Sequence, residues 1–313
     1  MKKQLAVGID IGGTNVVVGL ANKEGTILKR NTFPMATFVT PESFVEKITA
    51  SIRSEFAEFE ANYDLKGIGI GAPNGNYYTG SIEFAPNLKW EGVVPLASMF
   101  REHFDVLVAL TNDANAAALG EKQFGHAKGM NDFLVVTLGT GVGSGFVANG
   151  KLILGHDGFA GELGHAIVFM DGRQCACGRK GCLERYASAG GIVETMKEYI
   201  AQNPGKSILE ERADFKAKDI YDAAIKGDQL ALEAFDYTGK ILGFMLSQAV
   251  AVTSPEAIFL FGGLAASGKL IFEPTKRYME DYLLNVFRNK VQLLPSGLPE
   301  SDVAVLGAAA LAW

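Results

Sequence analysis

A supersecondary unit that occurs twice constrains this chain most: an apolar strand, a glycine turn, a second strand and a hairpin. In the first copy, Leu5–Ile9 enters Asp10-Ile-Gly-Gly-Thr-Asn15, leaves as Val16–Ala21 and turns at Asn22-Lys-Glu-Gly25 into Ile27-Leu28. In the second copy, some 130 residues later, Phe133–Thr137 meets the turn Leu138-Gly-Thr-Gly-Val-Gly143. The chain continues as Phe146-Val147, turns at Asn149-Gly150 and pairs back at Leu152–Leu154. Apolar runs bounded by Gly/Asn clusters read as strands joined by tight turns. Two such copies predict two similar lobes facing each other.

The bulk properties agree. At 313 residues the chain is too long for one small domain. A net charge of −6 offers no basic face to nucleic acid and no polybasic contact to a membrane. The apolar run Leu5–Ile9 stops at Asp10, too short for the core of a signal peptide. Ile241–Thr253 is interrupted by Ser247 and Gln248 and falls short of the ~20 residues that span a bilayer, so it reads as a buried helix. Phe44, Val45, Ile48, Ile52 and Phe56 recur at helical spacing within Pro41–Asn62. Lys66–Gly71 reads as a strand leading into a Pro/Asn/Gly loop that runs through Asn87, and Ser188–Ser254 as mainly helical. Ile258–Phe261 is a further strand before Gly262-Gly263, and Val303–Trp313 a small-residue apolar helix.

Glycine is in excess, 37 residues where average usage is about 7%. In the first turn Gly12 and Gly13 let backbone N–H groups converge on phosphate oxygens with no Cβ in the way, and Thr14 and Asn15 add side-chain donors. Asp10 can orient a magnesium ion through water. The second turn, with Thr140, Gly141 and Gly143, can hold the far phosphate. Two other nucleotide motifs fail. Gly145–Lys151 spells G-x4-G-K, but Leu152 stands where Ser or Thr must bind magnesium, and a hairpin surrounds it. No G-x-G-x-x-G opens a helix. Gly8–Asn15 resembles the first phosphate motif of the actin-like ATPase superfamily. Leu138–Gly143 resembles the second, and Gly262-Gly263 after its strand is similar to the adenosine motif.

The three cysteines, Cys175, Cys177 and Cys182, lie within eight residues of one another. That clustering suits a metal better than a disulfide framework and places the chain in the cytosol. With His165 they supply one imidazole and three thiolates, a full tetrahedral set for zinc with no position left open, hence a structural site. Holding those ligands also holds Glu162 and Glu184. One ring nitrogen of His165 can bind zinc while the other hydrogen-bonds a ligand. Two carboxylates and a histidine suit vicinal sugar hydroxyls. The 24 residues from Gly161-Glu-Leu-Gly-His165 to Cys175-Ala-Cys-Gly-Arg-Lys-Gly-Cys-Leu-Glu184 resemble the signature of the ROK family, in particular its glucokinase-like members. The resemblance implies that Glu162, His165 and Glu184 contact sugar and that His165 and the three cysteines bind zinc.

Thr111-Asn-Asp-Ala-Asn-Ala-Ala-Ala-Leu-Gly-Glu121 follows the apolar strand Val106–Leu110, and its alanines favour a helix. Asp113 at that junction reads either as a helix N-cap or as the base for a sugar hydroxyl, since phosphoryl transfer needs a proton acceptor and an aligned oxygen. The ROK resemblance implies that Asp113 is the base and that Asn112 binds sugar. Asn87, in Ala85-Pro-Asn-Leu88, resembles another sugar-contacting position. One departure stands out: the family's loop after the third strand reads Pro-Gly, whereas this chain reads Gly71-Ala-Pro-Asn74-Gly75. Asn tolerates left-handed angles, so the turn is expected to survive.

The resemblance implies a two-lobed α/β protein of the actin-like ATPase, ribonuclease H-like fold, with mixed sheets flanked by helices and a ligand cleft between lobes. Residues 1–112 with about 300–313 are expected to form a small lobe carrying the first phosphate loop. Residues 113–299 are expected to carry the second loop, the zinc site and the adenosine motif. ATP, Mg²⁺ and structural Zn²⁺ are the implied cofactors, and a homodimer the implied assembly. Phosphorylation of glucose to glucose 6-phosphate leads the expected activities, followed by N-acetylmannosamine, N-acetylglucosamine or another hexose. A sugar-responsive transcriptional regulator is the alternative; the family's regulators carry a DNA-binding segment before the first turn, where nine residues precede Asp10 here.

Overall fold

In the computed structural model, which describes residues 2–212 and 214–313, both repeated segments become strand pairs. β1 (Lys3–Ile11), β2 (Asn15–Asn22) and β3 (Ile27–Pro34) form an antiparallel ribbon. Helix α1 (Pro41–Ala57) starts where Thr40 accepts the Ser43 N–H and Ser43 answers the Thr40 N–H, with Pro41 at the first helical position. It buries Phe44, Val45, Ile48 and Ile52, the spaced apolar face, and ends at Ala57 rather than at Asn62. β4 (Tyr63–Gly71) pairs parallel with β1. A small antiparallel sheet of β5 (Gly75–Asn76), β6 (Ser81–Glu83) and β7 (Val93–Val94) follows, then α2 (Leu96–Arg101) and β8 (Leu107–Thr111), parallel to β4. The first large sheet has the order β3-β2-β1-β4-β8.

After α3 (Asp113–Phe124) the pattern returns. β9 (Phe133–Leu138) leads to β10 (Val142–Ala148), which claims the last two residues of the predicted turn. Asn149 and Gly150, both at positive φ, turn β10 into β11 (Lys151–Leu152), as Asn-Gly in a two-residue hairpin requires. Helices α4 (Glu184–Ala187), α5 (Ala189–Gln202), α6 (Ala217–Ile225) and α7 (Gln229–Thr253) come next. β12 (Ala257–Phe261), α8 (Lys269–Tyr282), β13 (Gln292–Pro295) and α9 (Val303–Ala310) complete the chain. The second large sheet, β11-β10-β9-β12-β13, repeats the order of the first, and β12 runs parallel to both neighbours. Among the described residues, no helix is long and apolar enough to cross a membrane.

Two compact units divide the chain: Met1–Met130 with Gly145–Gly161 and Ser296–Trp313, and Asn131–Ser144 with Glu162–Pro295. In the first, Phe44 meets Phe38, Trp90 and Phe100 edge-on, with ring centroids 5.0, 5.1 and 6.1 Å away. Backbone from α9 lies directly on the sheet. A Cβ on Gly8 would fall 2.0 Å from the Val305 carbonyl oxygen, and one on Gly69 1.8 Å from that of Ala308. Only glycine permits so close an approach. In the second unit α7 and α8 pack together, and a Cβ on Gly243 would lie 2.5 Å from the Thr275 carbonyl oxygen.

Candidate active site

Three parallel strands of the first unit end level with one another. Asp10 on β1 pairs with Gly71 on β4, and Gly71 with Thr111 on β8. Asn112 and Asp113 follow at once, and a Cβ on Gly71 would lie 3.9 Å from Asp113 Cα. Asp10 and Asp113 are thereby gathered at the carboxyl ends of parallel strands, where open α/β sheets bind ligands. Burial and the nearby Asp113 charge push the Asp10 carboxyl up to about 7, and Arg30 opposes the rise. Burial also raises Asp113, against the pull of the Ala114 N–H. Solvent still reaches the Asp113 side chain, but surrounding protein displaces most of the water that would stabilise its charge.

The N-cap of α3 is Asn112, not Asp113: Asn112 Oδ1 accepts the Asn115 N–H at 2.7 Å. Asp113 occupies the first helical position, where one oxygen accepts the Ala114 N–H at 2.9 Å. The capping role open to Asp113 on sequence is thus filled by its neighbour. Asn112 spends its carbonyl on the cap, which leaves its Nδ2 as the group able to meet a hydroxyl.

The first glycine turn is closed by its own backbone. Gly12 N–H donates to the Asn15 carbonyl at 2.9 Å, and Met35 N–H to the Thr14 carbonyl at 2.8 Å. Gly13, Thr14 and Asn15 are exposed there, as is Asn87. A Cβ on Gly13 would sit 3.4 Å from the Asn87 carbonyl oxygen, so the turn and the Asn87 segment are in contact. Asn74 has φ of 50°, the left-handed conformation expected of it.

In the second unit, Gly139 N–H closes on the Gly141 carbonyl at 3.0 Å, Gly143 N–H donates to Thr137 Oγ1 at 3.1 Å, and Thr140 is exposed. Glu184, the first residue of α4, accepts the Val142 N–H through Oε2 at 3.2 Å. A Cβ on Gly141 would come within 2.2 Å of that oxygen, so any side chain at 141 would displace the Glu184 carboxylate. Gly262 has φ of 102° and lies against the end of β9, with a Cβ position 2.7 Å from the Leu138 carbonyl oxygen. Leu264 N–H donates to the same carbonyl at 3.0 Å, and Gly263 faces open space. The second glycine turn and the Gly262-Gly263 turn therefore meet at one strand end.

Glu162 is exposed and precedes a single 3₁₀ turn, Leu163–His165, that ends on the histidine. The ligand atoms of His165, Cys175, Cys177 and Cys182 all lie within 4.8 Å of one another. Cys175 Sγ is 3.8 Å from His165 Nδ1, and Cys177 Sγ is 3.6 Å from Cys182 Sγ. Those separations match the ~3.8 Å edges of a tetrahedron whose Zn–S bonds are about 2.3 Å. Without a metal the thiols cannot all ionise. Burial raises Cys175 and pushes Cys182 up to about 12, whereas the Arg179 backbone N–H draws Cys177 down to about 6. A divalent cation resolves that conflict, and the donor set fits zinc. Nδ1 of His165 faces the thiols, which leaves Nε2 for another partner. Sequence reading passed over Arg179, which also donates to the His165 carbonyl at 3.1 Å, because an exposed arginine in a loop carries no motif.

The ROK family model matches residues 6–313. The chain belongs to the ROK family. Among ROK proteins it is 34% identical to a glucokinase of Thermotoga maritima, over 99% of this chain and 98% of the relative. It is 30% identical to the xylose repressor of Bacillus subtilis, over 97% of this chain and 76% of the repressor. A ROK family glucokinase from Streptomyces griseus, crystallised with glucose and AMPPNP, superimposes with a TM-score of 0.79 at 32% identity, over 98% of both chains. A ROK hexokinase from Thermus thermophilus gives 0.79 at 28% identity, over 98% of this chain and 97% of that one. The two mixed sheets flanked by helices are those of the actin-like ATPase fold.

Proposed function

We propose that this ROK protein is an ATP-dependent sugar kinase that phosphorylates a hexose, with glucose as the leading substrate and the sixth-carbon hydroxyl as acceptor. Asp113 carries the reading. It stands beside Asp10 at the strand ends, its helix is capped by another residue, and burial raises its carboxyl, which makes it a stronger acceptor for the proton of an alcohol. Asp113 accepts the hydroxyl proton as the oxygen attacks the γ-phosphorus, whose bond to the β,γ-bridging oxygen breaks to release ADP. Asn87, Asn112, Glu162, His165 and Glu184 bind and orient the sugar hydroxyls. Asp10, Gly12, Gly13, Thr14 and Asn15 hold ATP·Mg at the first turn. Thr140, Gly141 and Gly143 hold phosphate at the second, and Gly262 and Gly263 hold the adenosine. Mg²⁺ supplies positive charge for the moving phosphoryl group, and a cation beside Asp10 would favour ionisation of both aspartates. Zn²⁺ at His165, Cys175, Cys177 and Cys182 is structural, since the protein fills all four positions.

Kinship with glucokinases of Thermotoga maritima and Streptomyces griseus, the latter bound to glucose and AMPPNP, supports glucose and ATP. N-acetylmannosamine and N-acetylglucosamine are the next candidates. A coupled assay of ADP release over a panel of hexoses and N-acetylhexosamines tests the proposal, with glucose expected to turn over fastest. Absence of turnover with every sugar would overturn it and favour the second reading, a sugar-responsive regulator, which rests on the 30% identity to the xylose repressor.

A further inference from the structure

Asn74 does more than occupy a left-handed turn. Ala72-Pro-Asn-Gly75 closes through Gly75 N–H to the Ala72 carbonyl at 3.1 Å, with proline second and a positive-φ residue third, where Gly or Asn belongs. A glycine would make the same turn. The asparagine adds a side-chain amide that donates to the Glu83 carbonyl at 3.0 Å and to the Phe84 carbonyl at 3.2 Å. The Asn74 backbone carbonyl accepts the Glu83 N–H at 3.1 Å.

Phe84 needs such a restraint. It too is left-handed, with φ of 51°, and the residue is 72% exposed, so burial does little to hold it there. A bulky residue in that region is strained and persists only where its surroundings over-determine it. The surroundings are the Asn74 amide on the Phe84 carbonyl and the Phe84 N–H on the Gly92 carbonyl at 2.8 Å. Phe84 turns the chain out of β6 into Ala85-Pro86-Asn87, and Asn87 rests on Gly13.

We propose that Asn74 is a positioning residue for the sugar: its amide holds Phe84 in the left-handed bend and so sets where Asn87 presents its side chain. The inference rests on the sugar-kinase reading above. The first glycine turn is closed by bonds of its own, from Gly12 and Met35, so the clamp governs sugar and not nucleotide.

Steady-state kinetics of Asn74→Gly and Asn74→Asp test this. Both keep the turn, and neither can donate to Glu83 and Phe84. Each is expected to raise the sugar KM about fivefold to tenfold while kcat and the KM for ATP stay within twofold. Phe84→Gly removes the strain, so adding Asn74→Gly to it should cost under threefold in sugar KM. A sugar KM within twofold of the parent in both Asn74 variants would overturn the proposal. So would equal losses in sugar KM, ATP KM and kcat, or a lower Tm alone, which mark a purely structural residue. A parent protein that turns over no sugar would instead defeat the sugar-kinase reading, a result distinct from these.

Discussion

Glu184 accepts the Val142 backbone N–H at 3.2 Å with one carboxylate oxygen and lies 3.8 Å from Cys175 Sγ with the other. One side chain thereby ties the second glycine turn to the His/Cys cluster. A hydrogen bond to a charged group contributes about 1.5–3 kcal/mol, more than one between neutral partners. Glu184→Gln, which keeps shape and loses charge, is expected to raise the sugar KM about tenfold to a hundredfold, with a smaller rise in the KM for ATP. Kinetics in both substrates would check it; unchanged KM values with a lowered Tm would reduce Glu184 to a structural strut.

Zinc should be present at about one equivalent per chain, measurable by elemental analysis of freshly purified protein. Chelation, or Cys182→Ser, is expected to weaken sugar binding before nucleotide binding, as titration calorimetry with each ligand would show. The loss should begin at Glu184 and His165, which the cluster holds directly.

Asp113→Asn keeps the size of the side chain and the Asn112 cap but removes the proton acceptor. Its kcat is expected to fall about 10²–10⁴-fold with sugar affinity little changed. Since burial raises the parent carboxyl, kcat/KM should fall as pH drops through that raised value, a limb absent from the residual activity of the variant. A full rate in Asp113→Asn would exclude it as base.

Asp10 gives a pH dependence of opposite kind. Its carboxyl rises from 3.8 to about 7 on folding, so between those values the folded state holds the extra proton. Stability therefore declines as pH climbs through that window, and the deficit persists above it. Asp10→Asn should melt above the parent at pH 8, and the gap should close by about pH 4. Millimolar Mg²⁺ should narrow the gap at pH 8 by favouring the ionised parent side chain.

The two strand–turn–strand copies, the capped helix at Pro41 and the His/Cys set were legible because their signals are local: alternation, Asn-Gly turns, ligand spacing. What escaped was short or non-local. β5 has two residues in a Gly/Asn-rich stretch that reads as loop, and β7 is only two residues long. α8 contains Pro274, which on sequence argues for a break. Asn112 and Asp113 are both good caps, and only the structure separates them. The bond from Val142 to Glu184 spans 42 residues, beyond any motif.

Gly69→Ala tests the packing of α9. A methyl group 1.8 Å from the Ala308 carbonyl oxygen would press on helix backbone, which cannot swing aside as a side chain can. The cost should reach at least the ~3 kcal/mol upper range of overpacking, read as a lowered urea midpoint at unchanged slope. Gly263→Ala, facing open space, should leave the midpoint unchanged.

The dependence of β1 and β4 on α9 also sets an order of events during synthesis. Strands made first wait for a helix made last, since Ser296–Trp313 belongs to the same compact unit as Met1–Met130. Asn131–Ser144 and Glu162–Pro295 are synthesised before the helix that covers the opening sheet. The amino-terminal sheet thus stays without its cover until the last stretch of chain, Ser296–Trp313, has been made.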